Sequence, residues 1–253
     1  MDSKHEVTAS IVTREIFEQV ANEARTDKCS GHGYHRFYPL ALSHLSRSEA
    51  FTIIEIGYGN GASIQMWRTL FPNSYLICID RDVSEQGEGY IVTKADQSDP
   101  GSIAAAIGEP DLPVRLMVDD GSHHPQHQLT SFSLLFETIL EPGGTYIIED
   151  IETSYWLSGN LYGYELRFGL FCKWSAIEAL KLAADYVNRM FLSRKDKSLL
   201  EYSMAISGLS PSAAEKISTV TFGHNCAILK KAESADDTHS GIPYNYARFT
   251  QRD

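Results

Sequence analysis

The sequence predicts an α/β protein: a Rossmann-like, doubly wound, mostly parallel sheet of seven strands, with an antiparallel C-terminal hairpin and N-terminal helices. Three observations carry that prediction. Short apolar runs alternate with helical stretches between residues 51 and 150. The runs are apolar throughout, as in strands buried on both faces. Most of them end in a carboxylate, and the first ends in a turn with three glycines. A doubly wound sheet gathers such strand ends along one crevice.

The elements follow in order. Residues 9–25 place Ile11, Val12, Ile16, Phe17 and Val20 at helical spacing. Thr26-Asp27-Lys28 and Gly31-His32-Gly33-Tyr34 read as a loop, and residues 37–45 as a second helix. Residues 52–56 form the first strand, and 62–70 the helix behind its glycine turn. Strands follow at 75–79, 90–93, 114–118 and 146–148, with helices near 103–107 and over 126–139, the latter stopped by Glu141-Pro-Gly-Gly144. Residues 152–172 look like a long loop and 173–192 like an amphipathic helix. Residues 217–222 and 226–229, joined by Gly223-His224-Asn225, predict the hairpin. Residues 1–50 are expected to cap the same domain, 51–231 to form its body, and 232–253 to be a polar tail.

Composition narrows the function. Of 253 residues 43% are hydrophobic, which excludes intrinsic disorder. No window approaches the ~20 apolar residues of a membrane span. A net charge of −11 repels phosphate backbones, so no nucleic acid partner is expected. Cys29, Cys78, Cys172 and Cys226 lie far apart with no CxxC spacing, against a zinc or redox motif. The polar N-terminus lacks a signal-peptide core, and a cytoplasmic location is expected.

The chemistry gathers at the strand ends. Glu55-Ile-Gly57-Tyr-Gly59-Asn-Gly61 lets the backbone pass close to a ligand. Asp80, closing the next strand, can accept both hydroxyls of a ribose. The spacing is GxGxG rather than the dinucleotide GxGxxG, which favours S-adenosylmethionine (SAM) over NAD. Asp96-Gln97 sits where an adenine amino group needs an acceptor; Asp96 reads equally well as a cap near Ser98. The fourth strand ends in Asp119-Asp120-Gly-Ser-His123-His124-Pro-Gln-His127 and the fifth in Glu149-Asp150-Ile-Glu152. So many carboxylates need a compensating cation or paired group. Mg²⁺ on Asp120, Glu149 and Asp150 is one answer, with Asp119 left to the cofactor or to a cap. His123 is placed to act as a general base, and His127 to bond it or a carboxylate. In the following loop Tyr155, Trp156, Tyr162 and Tyr164 read as a sugar-binding lid or as packing. Tyr155 and Trp156, nearest the metal residues, are the candidates for substrate contact. Tyr34 and Tyr38 either close over the cofactor or anchor their segment to the sheet.

Together these segments resemble the Mg²⁺-dependent sugar O-methyltransferases typified by the enzymes acting on mycinamicin and macrocin. The matching residues are Thr26-Asp-Lys28, His32-x-Tyr34, Tyr38, the glycine turn, Met66-Trp67, Phe71-Pro72, Ile79-Asp80 and Asp96-Gln97. They continue through Asp119–His127, Ser131-Phe132, Leu135-Phe136, Pro142-Gly-Gly144 and Glu149-Asp150 to Thr153-Ser-Tyr-Trp156. The resemblance implies a class I SAM-dependent methyltransferase fold, and a metal on Asp120, Glu149 and Asp150. It also implies a base at His123 and a sugar acceptor with neighbouring hydroxyls. Chelation would acidify the attacking hydroxyl, and His123 would take its proton. The macrolide enzymes carry a large N-terminal domain for which residues 1–50 are too short. A small glycoside or an oligosaccharide terminus, such as a mycobacterial mannoside, is therefore as open as a macrolide. A homo-oligomer is expected. Short proteins labelled cephalosporin hydroxylases are also similar, which keeps a non-haem iron site of His123, His127 and Asp120 in view. An NAD-dependent oxidoreductase and a non-catalytic partner subunit are the remaining alternatives.

Overall fold

The computed structural model describes residues 10–233. The N-terminal residues 1–9 and most of the expected tail, 234–253, lie outside the described residues. Three short helices, α1 (Arg14–Ala24), α2 (Asp27–Ser30) and α3 (Tyr38–Ala41), precede β1 (Thr52–Ile56). Then come α4 (Ala62–Leu70), β2 (Tyr75–Asp80), β3 (Glu85–Gly87), β4 (Tyr90–Lys94), α5 (Pro100–Ile107), β5 (Val114–Asp119), α6 (Pro125–Thr138) and β6 (Thr145–Glu149). A small hairpin of β7 (Gly159–Leu161) and β8 (Tyr164–Leu166) follows. The chain continues through α7 (Ala176–Val187), α8 (Arg194–Ser207) and α9 (Pro211–Glu215) to β9 (Ile217–Gly223) and β10 (Cys226–Lys231).

The main sheet has eight strands in the order β3-β4-β2-β1-β5-β6-β10-β9. Strands β4, β2, β1, β5 and β6 are parallel, and β10 and β9 close one edge antiparallel. The eighth strand, β3, runs antiparallel to β4 and has three residues, Glu85-Gln86-Gly87. It carries no apolar run, so the pattern that marks the other strands does not mark it. Gly223 pairs with Cys226, leaving His224-Asn225 as a two-residue turn with Asn225 left-handed.

Local chemistry explains where the helices differ from the pattern. Thr13 caps α1 by accepting the Ile16 N–H, so the helix starts well after residue 9. Thr26-Asp27-Lys28 is not a loop: Thr26 Oγ1 accepts the Lys28 N–H at 3.4 Å and starts the single turn α2. Of residues 37–45 only Tyr38–Ala41 is helical, and turns follow. Ser175 caps α7, which stops at Val187 before a 3₁₀ turn. Helices α8 and α9 fill residues to which the sequence assigned no element. On α8 only Met204 and Ser207 are buried, so its apolar stripe is thin. No helix among the described residues is long and apolar enough to cross a membrane.

Two cores cover the two faces of the sheet. Ile54, Ile56, Ile79, Tyr146 and Ile148 face Ile103 of α5, Phe132 of α6 and Leu180 of α7. Ile53, Leu116, Val118 and Ile147 face the other way, toward Phe17 of α1 and Trp67 of α4. Alternate strand residues take opposite faces, and that rule decides which carboxylates can meet.

Candidate active site

Glu55 on β1 shares the face of Ile53, Asp120 continues the Leu116 and Val118 face of β5, and Glu149 on β6 shares the face of Ile147. All three carboxylates therefore point at the N-terminal helical layer. The turn of α2 sends Lys28 among them. Its Nζ lies 2.7 Å from Asp120 Oδ2, 2.7 and 2.8 Å from the two Glu149 oxygens, and 3.5 Å from Glu55 Oε1. The Tyr38 hydroxyl donates to Glu149, and Ser63 Oγ donates to Glu55 Oε2 at 2.7 Å. Lys28, Glu55 and Glu149 are each 1% exposed. Burial pushes both glutamates above the usual carboxylate range. Burial alone would lower Lys28, but Asp120, Glu149 and Glu55 outweigh it and hold the ammonium charged. The counter-charge that the crowded strand ends require is thus supplied in part by a lysine.

Asp150 lies one residue beyond Glu149 and turns out of the strand with φ +50°. Its Oδ1 accepts from the Tyr34 hydroxyl and Asn225 Nδ2, both at 2.8 Å, and lies 3.2 Å from His32 Nδ1. Its Oδ2 is 3.7 Å from His123 Nε2. Burial raises the Asp150 carboxyl, with His123 opposing the rise. His123 is also left-handed, at φ +53°, and its carbonyl accepts the Thr153 hydroxyl at 2.6 Å. It lies just before α6, whose first residue is Pro125, and its buried Nδ1 has no partner among the described residues. Asp120, His123 and Asp150 each bring one donor atom within 4.8 Å of the others, a set able to hold a cation. Glu149 stands behind it, with both oxygens on Lys28.

Among the described residues His127 bonds neither His123 nor a carboxylate. Its Nδ1 pairs with Ser122 Oγ at 2.9 Å, and its ring stacks on His124 at 4.3 Å. Burial, then the neighbouring His124, pushes it down to about 4.

Beside this cluster the glycine turn opens a cleft. Gly57 has φ +101°, and a Cβ there would lie 2.0 Å from the Asp120 carbonyl oxygen, so no side chain fits. Gly59, at φ +55°, faces open space. Gly61, also left-handed, begins α4. The cleft is lined by Gly57, Gly59, Asp80, Ala95, Gln97 and Ser122. Asp80 accepts the backbone N–H groups of Tyr58, Asp82 and Val83 at 3.1, 2.8 and 2.9 Å, which fixes its carboxylate at the strand end. A second hollow, lined by Thr26, Asp27, Asn60, His123 and Asp150, adjoins it; the two share Gly57, Gly59, Asp120 and Tyr162.

Two of the expected cofactor residues sit elsewhere. Asp119 is fully buried on the opposite face from Asp120. It accepts Gln97 Nε2 on both oxygens, at 2.8 and 2.9 Å, and the Tyr146 hydroxyl at 3.4 Å. Burial pushes its carboxyl up to about 6. Asp119 therefore braces Gln97, whose Oε1 accepts the Ser122 N–H at 2.8 Å. Asp96 holds a turn: its Oδ1 accepts Ser98 N and Oγ at 2.8 and 2.7 Å, which lowers its carboxyl.

The aromatic candidates also redistribute. Tyr155 is exposed and lines a separate pocket with Glu152, Phe222 and Asn225. Trp156 packs beneath Gly159, where a Cβ would lie 2.7 Å from its ring. Tyr162 and Tyr164 line the cleft instead. Tyr162-Gly163, both left-handed, make the two-residue tip of the β7–β8 hairpin. The Tyr162 ring stands 5.8 Å from that of His123, and Arg81 Nη1 donates to the Tyr162 carbonyl at 3.2 Å. The signal was a glycine between two tyrosines. For Lys28 it was a lone lysine in a polar triplet, which carries no charge-pairing information until the fold places it.

The chain is similar to known proteins over part of its length. No protein-family model matches the chain. Over 143 residues it is 39% identical to the 8-demethyl-8-alpha-L-rhamnosyl tetracenomycin-C 2'-O-methyltransferase of Streptomyces olivaceus, covering 52% of this chain and 36% of that protein. It is 38% identical over 136 residues to the demethylmacrocin O-methyltransferase of Streptomyces fradiae, covering 48% and 33%. Identity to the mycinamicin VI 2''-O-methyltransferase of Micromonospora griseorubida is 37% over 136 residues, covering 48% and 33%. The chain thus spans about a third of the length of the curated relatives it matches. Among solved structures, the MycE methyltransferase of the mycinamycin pathway, in complex with Mg, SAH and mycinamycin VI, matches with a TM-score of 0.69 and 24% identity. That match covers 90% of this chain and 56% of that one. The fold is that of the class I methyltransferases.

Proposed function

We propose that the chain is a SAM-dependent O-methyltransferase acting on a hydroxyl of a sugar or glycoside, with Mg²⁺ as its second cofactor. The observation that carries this reading is the shared wall of the two hollows. The Asp120–His123–Asp150 cluster adjoins the cleft of the glycine turn, so an acceptor oxygen and a methyl donor would meet at Gly57, Gly59 and Asp120. The similarity to O-methyltransferases of rhamnosyl tetracenomycin, macrocin and mycinamicin supports the same class.

The residues fit both groups. Gly59 leaves backbone open beside Asp80, where a nucleoside ribose would be held. The two carboxylates of this cluster suit a hard divalent ion and leave the His123 imidazole free, and Asp120 is 28% exposed toward the cleft. Asp120 and Asp150 are the ligands we assign, with Glu149 one residue away as the third carboxylate. A bound divalent ion there supplies Lewis acidity to an acceptor hydroxyl. The chain does the rest. His123 takes the hydroxyl proton on its imidazole, and the Asp150 carboxylate at 3.7 Å stabilises the imidazolium that forms. Gln97, braced by Asp119, shapes the cofactor side of the cleft. Tyr162 offers an aromatic wall to the sugar and shields the site from water.

The iron and NAD alternatives are not favoured. His127 is committed to Ser122, so the triad of His123, His127 and Asp120 does not assemble, and the named relatives are O-methyltransferases. We place the enzyme in a reducing cytoplasm, where the buried free thiols of Cys29, Cys78 and Cys226 stay reduced. Exposed Leu157, Leu170 and Phe171 support association with a second copy. Titration of the protein with SAM and with NAD tests the cofactor: micromolar-range SAM binding is expected, and binding of NAD alone would overturn the assignment.

A further inference from the structure

We propose that Lys28 is the resident counter-ion of the metal site: its ammonium holds Asp120 and Glu149 in place until a divalent ion displaces it from Asp120. The inference rests on the Mg²⁺ reading above and concerns the state before the ion arrives. Asp120 belongs to two cation sites at once. Its Oδ2 lies 2.7 Å from Lys28 Nζ, and the same carboxylate joins His123 and Asp150 in a set within 4.8 Å. Its side chain is also the most exposed of the ammonium's partners, 28% against 2% for the Glu149 side chain and 1% for that of Glu55. A cation entering from the cleft therefore meets Asp120 first and finds it already engaged.

The ammonium has somewhere to go. Both Glu149 oxygens lie within 2.8 Å of Nζ, and Glu55 Oε1, which has no hydrogen-bond partner among the described residues, lies at 3.5 Å. Lys28 can release Asp120 and stay paired. It is also the only lysine or arginine among the described residues that pairs with Glu55, Asp120, Glu149 or Asp150. Without it the metal-free site would bury several carboxylates with no fixed cation, a strongly destabilised arrangement. Two cations sharing one carboxylate repel, so Lys28 weakens metal binding while keeping the ligands pre-formed. It is a positioning residue that makes the metal exchangeable.

Mg²⁺ binding to the full-length protein, followed by calorimetry without SAM, tests this. Lys28→Gln removes the charge but keeps an N–H donor, and is expected to bind Mg²⁺ about tenfold more tightly than the parent. Its melting temperature should fall without metal and rise more steeply than the parent's as Mg²⁺ is added. Lys28→Arg, which keeps the charge, should bind like the parent. A folded Lys28→Gln protein with unchanged or weaker affinity overturns the proposal. If that variant does not fold, ¹⁵N-lysine NMR of the parent decides: the buried ammonium signal shifts on adding Mg²⁺ if the proposal holds, and an unmoved signal at saturation rejects it. A parent protein that binds no Mg²⁺ at all removes the metal reading as well, which separates the two failures.

Discussion

Asp119 and Asp120 are neighbours in sequence and lie on opposite faces of the sheet, because side chains alternate along β5. Asp119 is buried against Gln97, whereas Asp120 opens to the cleft beside His123 and Asp150. Replacing His123 by Ala should cost about 10²–10⁴ in the rate of methyl transfer. SAM affinity should stay near that of the parent; calorimetry and a single-turnover assay on one preparation separate the two, and full activity would remove His123 as base. Asp80→Ala should raise the SAM dissociation constant and leave the acceptor KM in place, since Asp80 lines only the cofactor side. At this scale the residue types were legible: a run of aspartates and histidines at a strand end announces chemistry. Which of them share a face was not, because one residue of register decides it. Lys28 was hidden for a related reason. Its partners come from β1, β5 and β6, far from it in sequence.

At the scale of elements, the strand ends are held together by backbone as much as by side chains. The Gly57 N–H bonds the Ile79 carbonyl at 2.8 Å, and the Asp120 N–H bonds the Ile56 carbonyl at 2.9 Å. A Cβ at Gly57 would strike the Asp120 carbonyl, so Gly57→Ala should force β1 and β5 apart at the site. Loss of SAM binding together with a lower melting temperature is the expected outcome; a variant with the parent's melting temperature would show that the close approach is unnecessary. The β7–β8 hairpin is the other element that lines the cleft. Tyr162→Ala should raise the acceptor KM more than it lowers kcat, and steady-state kinetics with a fixed glycoside will read the split. Strands buried on both faces were plain in the sequence because their apolar runs are continuous. The hairpin was not, because its strands have three residues each, too few to show an alternation, and β3 is as short. A thin apolar stripe hid α8 in the same way.

Across the whole molecule, the net charge of −11 is not spread evenly. Four of the carboxylates, Glu55, Asp120, Glu149 and Asp150, meet at one crevice, where Lys28 offsets part of their charge. Sensitivity to acid has a separate source. His44, half-buried beside Thr145, is pushed down to about 4 by burial, then by Lys230 and Arg115. Below its ordinary value near 6.5 the unfolded chain takes up a proton that the folded chain refuses until about 4, so stability is lost as pH falls across that window. His44→Gln should recover roughly 1 kcal/mol near pH 4.5, allowing for the partial exposure of the ring. Melting curves at pH 4.5 and 7 will show it, and an unchanged slope would mean that other groups set the acid limit. The proposed activity is metal-dependent methyl transfer to a sugar oxygen. The most direct measurement incubates the protein with methyl-labelled SAM and a panel of glycosides, with Mg²⁺, with EDTA, and with Mg²⁺ restored. Label on a sugar hydroxyl that disappears in EDTA and returns with Mg²⁺ is the predicted result; transfer indifferent to EDTA, or label found only on nitrogen or carbon acceptors, would contradict it.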